Sequence, residues 1–323
     1  MPSTRVPLIF GTMTMGEPGK SGVRNTDFKE CHEILDVYFA RGYRELDTAR
    51  MYGEGTTESY LSKLDLKGST IDTKAYPVRP GDHSPEKLRA TFETSLGILV
   101  PSATPKVRVF YLHAPDRSVP FVDTLREADK LHREGKFEQL GLSNYASWEV
   151  AEIAGICERE GFVKPTIYQA MYNALTRAIE PELVPCLRKF GLRLVIYNPL
   201  AGGLFAGKIS KGEEAAEGRF AGESNSARMY RARYLRDGYF AAMEDIKAVA
   251  AKHQLTTIEI ALRWCQHHSA LSPHDGVILG ASSASQLEQN CSDSEKGLLP
   301  QEVLDVLDAS WLKVAGTGPT YWR

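Results

Sequence analysis

Eight short apolar runs rich in Val, Ile, Leu and aromatic residues recur along the chain, each followed by a longer stretch whose apolar residues fall at helical spacing. This alternation constrains the fold more than any other feature, because successive parallel strands need a crossover of helical length between them. The runs are Leu8–Thr12, Tyr43–Asp47, Thr70–Lys74, Val107–Leu112, Phe137–Leu142, Thr166–Gln169, Arg193–Asn198 and Gly276–Leu279. Between them lie amphipathic stretches such as Phe28–Arg41, Pro85–Leu99, Val119–Glu134, Trp148–Glu160 and Glu180–Phe190. The first carries Ile34, Leu35, Val37, Tyr38 and Phe39 on one broad apolar face, with Lys29, Glu30, Glu33 and Asp36 mostly outside it. Closing eight such units predicts a (β/α)8 TIM barrel, a fold of about 250 residues.

The chain has 323 residues, and the surplus falls in two places. Gly207 to Tyr239 is rich in Gly, Ser, Arg and charge and reads as a long loop after strand 7. Beyond Pro300 one further helix is expected over Pro300–Lys313, followed by a tail ending Tyr321-Trp322-Arg323. No linker composition or low-complexity tract divides the chain, so a single domain over residues 1–323 is expected. An open doubly wound sheet is the alternative, and the absence of G-x-G-x-x-G after the first run argues against it.

A formal net charge of −2 argues against a nucleic-acid binder, while leaving room for a local basic pocket. The five cysteines (Cys31, Cys157, Cys186, Cys265, Cys291) are scattered, odd in number and without a C-x-x-C pair, and read as reduced structural thiols. No stretch of about 18 apolar residues exists to span a membrane. Met1 to Phe10 lacks the apolar run of a secretory signal, so a cytoplasmic location is expected.

Function in such a barrel sits at the C-terminal ends of the strands. Strand two ends at Asp47, strand three at Lys74 and strand four just before His113. Tyr52 follows in the loop Asp47-Thr48-Ala49-Arg50-Met51-Tyr52-Gly53. Singly, each has an ordinary explanation as a cap, a solvated charge or a core hydrogen bond. Together, four titratable residues converging on one mouth suit carbonyl reduction, which needs a hydride for carbon and a proton for oxygen. An unperturbed tyrosine has a pKa near 10 and donates poorly at neutrality. The Lys74 ammonium is expected to lower the pKa of Tyr52, and Asp47 to hold Lys74 by an ion pair. His113 would donate a hydrogen bond that orients the carbonyl and stabilises charge developing on its oxygen. No H-E-x-x-H or comparable ligand spacing is present, so no metal is expected.

Asp47-Thr48-Ala49, Tyr52-Gly53, Lys74 and Leu112-His113-Ala114 resemble the catalytic signature of the aldo-keto reductase superfamily. Further matches are Gly141-Leu142-Ser143-Asn144-Tyr145, Tyr168-Gln169-Ala170, Tyr197 through Leu204, and Gly280-Ala281-Ser282-Ser283 with Gln286 and Asn290 behind it. Tyr111 to Asp116, Met171 to Ala174 and the terminal Tyr321-Trp322-Arg323 look closest to the aflatoxin-aldehyde and succinic-semialdehyde reductase branch.

The resemblance implies NADPH lying extended across the barrel mouth, with a small aldehyde or ketone as substrate and a homodimer as assembly. It assigns the catalytic roles to Asp47, Tyr52, Lys74 and His113, with Asp47 also bordering the cofactor. Ser143, Asn144 and Gln169 would hold the nicotinamide carboxamide, and Tyr197 would stack on the ring. Asn198, Pro199, Leu200, Gly202, Gly203 and Lys208 would follow the pyrophosphate. Gly280, Ser282, Ser283, Gln286, Glu288 and Asn290 would surround the adenosine end, with Arg219 and Arg233 adding positive charge. The substrate would meet His113, Tyr230 and Arg323, the last pairing with a carboxylate.

One departure stands out. The branch carries an Asn shortly after the Gly of the long loop and a Trp two residues beyond it, whereas Phe220 to Arg228 here reads Phe-Ala-Gly-Glu-Ser-Asn-Ser-Ala-Arg. The missing indole reshapes one wall of the substrate site. Two other readings compete with an aldehyde reductase. An NADPH-binding regulatory subunit resembling potassium-channel β subunits usually carries an added N-terminal partner segment, and here the first strand begins almost at once. A hydrolase on the same barrel needs paired carboxylates or metal ligands at the strand ends, which are lacking.

Overall fold

The computed structural model describes residues 3–99, 107–209, 211–212, 215 and 218–323. Met1, Pro2 and part of the expected 207–239 loop lie outside them. Eight parallel strands close into a barrel in sequence order, β1 pairing with β8. They are β1 (Leu8–Gly11), β2 (Glu45–Asp47), β3 (Thr70–Ala75), β4 (Val107–Leu112), β5 (Gln139–Ser143), β6 (Pro165–Met171), β7 (Arg193–Tyr197) and β8 (Gly276–Leu279). The helices are α1 (Phe28–Ala40), α2 (Thr56–Leu61), α3 (Pro85–Leu99), α4 (Phe121–Arg133), α5 (Ser147–Glu160) and α6 (Leu183–Phe190). After β7 come α7 (Asn225–Tyr234), α8 (Asp237–Lys252) and α9 (Thr257–His267), and after β8 come α10 (Ala284–Ser294) and α11 (Gln301–Val314).

Most strand positions are buried, whichever face they point to, because both faces are covered. One face meets the helices. The other fills the barrel, where Ile9, Val109, Tyr111, Ile167, Val195 and Ile278 form their own cluster. Local chemistry starts and stops the helices. The carboxylate of Asp27 accepts from the backbone N–H of Lys29 and Glu30 ahead of α1, Thr256 and Ser283 cap α9 and α10, and Gly161 ends α5 with a φ of 68°. No helix among the described residues is long and apolar enough to cross a membrane.

Two expectations change. Strands β2 and β5 start two residues later than the apolar pattern suggests, because Tyr43 and Phe137 are buried in the outer core ahead of the first ladder pairing. The segment read as one long loop after β7 contains α7 and the start of α8. Helix α7 is hard to see in sequence: its buried residues are only Ala227, Tyr230 and Tyr234, set among arginines. It forms because Ser224 caps it, accepting from the Ala227 N–H at 3.1 Å, and because both tyrosines pack on Phe220 and Tyr230 also on the turn Ala201–Ala206.

The tail is docked. The Tyr321 hydroxyl donates to Glu182 Oε2 at 3.0 Å and accepts from the Ser147 N–H at 3.1 Å. The backbone N–H of Arg323 donates to the Asn144 carbonyl at 3.0 Å. Residues 321–323 are thereby drawn back to the C-terminal end of β5, at the barrel mouth.

Candidate active site

Register brings the mouth together. Lys74 lies opposite Tyr111 across β3 and β4, and Tyr111 lies opposite Gly141 across β4 and β5. The Tyr111 ring forms part of the floor under Lys74, whose Nζ stands 5.8 Å from the ring centroid. Gly141 admits that ring, since a Cβ there would fall 2.3 Å from it.

Lys74 is fully buried. Its Nζ donates to Asp47 Oδ2 at 2.6 Å, to the Thr48 carbonyl at 2.7 Å and to the Tyr52 hydroxyl at 3.4 Å. Asp47 Oδ1 accepts from Gln169 Nε2 at 2.8 Å, so its two oxygens join β3 to β6. Burial works against the lysine's charge, yet the neighbouring Asp47 and Tyr52 oxygens hold its pKa above the ordinary value. The expected lowering of Tyr52 is present only as one component. Burial raises the phenol, Lys74 pulls it down, and the net direction is upward, so Tyr52 is protonated at neutral pH.

His113 faces Tyr52 on one side and Tyr76 on the other, with ring centroids 6.1 and 5.3 Å away and edge-on. Its backbone N–H donates to the Ala75 carbonyl at 2.9 Å, and its carbonyl accepts from Asn144 Nδ2 at 2.8 Å. Burial first, then the charges of Lys74 and Arg323, hold its pKa well below the usual histidine value. The ring is therefore neutral, with one N–H to donate.

The residues assigned to a dinucleotide line a path around the same mouth. Asn144 and Asn198 directly follow β5 and β7 in left-handed conformation (φ 62° and 61°), which asparagine tolerates better than most side chains. Asn144 Nδ2 also donates to Ser143 Oγ at 3.0 Å, and Tyr197 donates its hydroxyl to Asn144 Oδ1 at 3.2 Å. Asn198 Oδ1 accepts from the Tyr230 hydroxyl at 2.9 Å. Beyond Pro199 and Leu200 the chain turns tightly through Gly202 and Gly203, both at positive φ, and Lys208 follows, exposed. A Cβ on Gly202 would fall 2.5 Å from the Tyr230 ring. At the far side, Gly280 leads from β8 to Ser282, whose N–H and hydroxyl both donate to Gln286 Oε1 at 3.0 Å. Ser283 caps α10, and Asn290 is buried one turn beyond Gln286.

These residues fit a dinucleotide on their own evidence. Asn198 Nδ2 is a buried donor with no partner among the described residues, at the start of the glycine turn. Arg219 has no carboxylate partner among them; its Nη1 donates to Met13 Sδ at 3.2 Å and its guanidinium lies 5.3 Å from the Tyr230 centroid. A buried amide donor and a cation beside a glycine turn suit an anionic ligand. Two assigned residues sit differently from expectation. Glu288 is engaged at 2.6 Å by Arg41, just past the C-terminus of α1. Arg233 lies against the Tyr230 ring at 5.8 Å, and its charge acts to lower the pKa of Tyr197.

The sequence pattern did not single out Tyr76, Met229, Met13 or Asn25. Arg323 crosses the mouth to donate to the Tyr76 hydroxyl at 3.2 Å and to Met229 Sδ at 3.6 Å. Asn25 Nδ2 donates to the Ser282 carbonyl at 2.9 Å. Only Tyr76, two residues past Lys74, carried a local signal.

The aldo/keto reductase family model matches residues 7–312. Among curated relatives, human aflatoxin B1 aldehyde reductase member 2 is 44% identical, over 100% of this chain and 91% of its own length. Human aflatoxin B1 aldehyde reductase member 4 is 41% identical over 98% and 97%. Aldo-keto reductase pigE of Monascus ruber is 40% identical over 99% and 98%.

Proposed function

The chain belongs to the aldo/keto reductase family, and on that premise we propose that this oxidoreductase reduces aldehydes with NADPH, using Tyr52 as proton donor. The linkage Asp47–Lys74–Tyr52, at 2.6 and 3.4 Å beside a neutral His113, carries the reading. Bound NADPH supplies the hydride; Ser143, Asn144, Gln169 and Tyr197 would hold its nicotinamide end, and the Asn198–Gly203 turn with Arg219 its phosphates.

The protein's own part is positioning and proton transfer. His113 donates a hydrogen bond to the carbonyl oxygen and makes the carbon more electrophilic. As the carbon is reduced, its oxygen becomes an alkoxide, a far stronger base than a phenolate, so a phenol kept protonated by burial is an adequate acid. The Lys74 ammonium then stabilises the phenolate left on Tyr52, and Asp47 keeps that ammonium charged. Lys208, Arg219 and Arg233 support NADPH over NADH. Arg323, together with Tyr230, supports aldehydes that carry a carboxylate, because the guanidinium donates to a hydroxyl and a thioether and meets no carboxylate among the described residues. The absent Trp supports a substrate outside the branch norm.

The test is NADPH oxidation with an acid-bearing aldehyde, an aromatic aldehyde and a dicarbonyl, comparing the protein with Tyr52→Phe. Turnover is expected to fall by about 10²–10⁴-fold in the variant, with NADPH binding retained. Persistent turnover rejects the donor, and faster turnover with NADH rejects the cofactor preference.

A further inference from the structure

The loop that carries Tyr52 turns through a backbone conformation that side chains help to hold. Gly53, Glu54 and Gly55 follow one another at φ of 55°, 55° and 96°, a run that L-residues avoid. Two side chains brace it. Glu58, fully buried at the start of α2, accepts from Arg50 Nη1 and, at 2.7 Å, from the hydroxyl of Thr73. Arg50 Nη2 donates to the Gly55 carbonyl at 2.7 Å, and the Arg50 backbone N–H donates to the Lys74 carbonyl at 3.1 Å. One guanidinium therefore spans the loop on both sides of Tyr52, and one carboxylate ties it to the residue before Lys74. Space for the guanidinium is reserved: a Cβ on Gly55 would lie 2.3 Å from Arg50 Nη2.

We propose that Arg50 and Glu58 are positioning residues for the reduction, their ion pair holding the Tyr52 hydroxyl within reach of Lys74 and of the bound carbonyl. This rests on Tyr52 being the proton donor. Tyr52 to Lys74 is the longest of the three contacts Lys74 makes, at 3.4 Å, so it is the one a relaxing loop loses first. A misplacement of about 1 Å in a reacting group costs about 10²-fold in rate.

Two variants separate positioning from folding. Arg50→Lys keeps a charge beside Glu58 and gives up the second arm on Gly55. Arg50→Met/Glu58→Leu removes the pair without leaving a buried carboxylate alone. We expect kcat with NADPH and an aromatic aldehyde to fall about tenfold in the first and about 10²-fold in the second. NADPH affinity, read by fluorescence quenching, should stay within about threefold of wild type. As the hydroxyl leaves the Lys74 ammonium, the alkaline limb of kcat/KM should move to higher pH, which lost stability alone does not produce. If the double variant fails to fold, Arg50→Lys decides. Wild-type kcat and an unmoved limb in Arg50→Lys, with Tyr52→Phe inactive, overturn the positioning role, whatever the melting temperature. An active Tyr52→Phe protein instead overturns the donor assignment on which the proposal stands.

Discussion

Replacing Asp47 with Asn removes one charge from a pair in which Lys74 is fully buried and Asp47 is 3% exposed. Breaking a buried ion pair from one side costs about 3–5 kcal/mol, chiefly because the remaining charge is left uncompensated. Lys74 can limit that loss by shedding its proton. Unfolding entropy near 2.1 cal/mol/K per residue, over 323 residues, is about 0.7 kcal/mol/K, and Asp47→Asn should melt about 4–7 K lower at pH 7. The sign with pH is specific. In the wild type the folded pKa of Lys74 is raised, so its stabilisation is complete below the unfolded value near 10.4 and is lost as pH rises through the folded value. In the variant, burial acts without Asp47 and the folded pKa falls below 10.4. The deficit is then largest near neutrality and shrinks as pH approaches 10. Thermal melts of both proteins at pH 7, 8, 9 and 10, without cofactor, measure this directly. A variant as stable as wild type at pH 7, or a deficit constant to pH 10, would refute a lysine charged through Asp47.

Two further outcomes follow from the same mouth. Gly141→Ala places a methyl against the Tyr111 ring beneath Lys74; it should destabilise by about 1–3 kcal/mol through overpacking and lower kcat, and a neutral result by urea denaturation would show that the ring is free to move. Because the pKa of His113 is held well below the usual value, kcat/KM should show no histidine limb between pH 5.5 and 7.5. An inflection near 6.5 that disappears in His113→Gln would count against the neutral donor.

The barrel and its working end were legible because the signals are local. Each strand is an apolar run, its period is short, and the polar residue that ends it stands next to it in the chain; Asp47, Lys74 and His113 are found that way. Tyr52 and the Asn198–Gly203 turn have equally compact neighbourhoods. Helix α7 was missed for the opposite reason: its apolar stripe is three residues wide and gains its meaning only from Phe220 and the turn it covers. The net direction of the Tyr52 pKa was not legible, because the sequence names the ammonium that lowers it but not the burial that outweighs it.

Sequence periodicity by itself determined a closed alternation of strands and helices, and with it which four titratable groups would share a mouth. Tertiary structure decided everything that depends on distance between remote residues. It set Lys74 on Asp47 and gave Tyr111 the space left by Gly141. It turned Glu288 onto Arg41, brought Arg233 to Tyr230, and laid Arg323 across to Tyr76, 247 residues away. Hydrogen bonds and desolvation act over a few ångströms, and chain closure alone determines which distant side chains come that close.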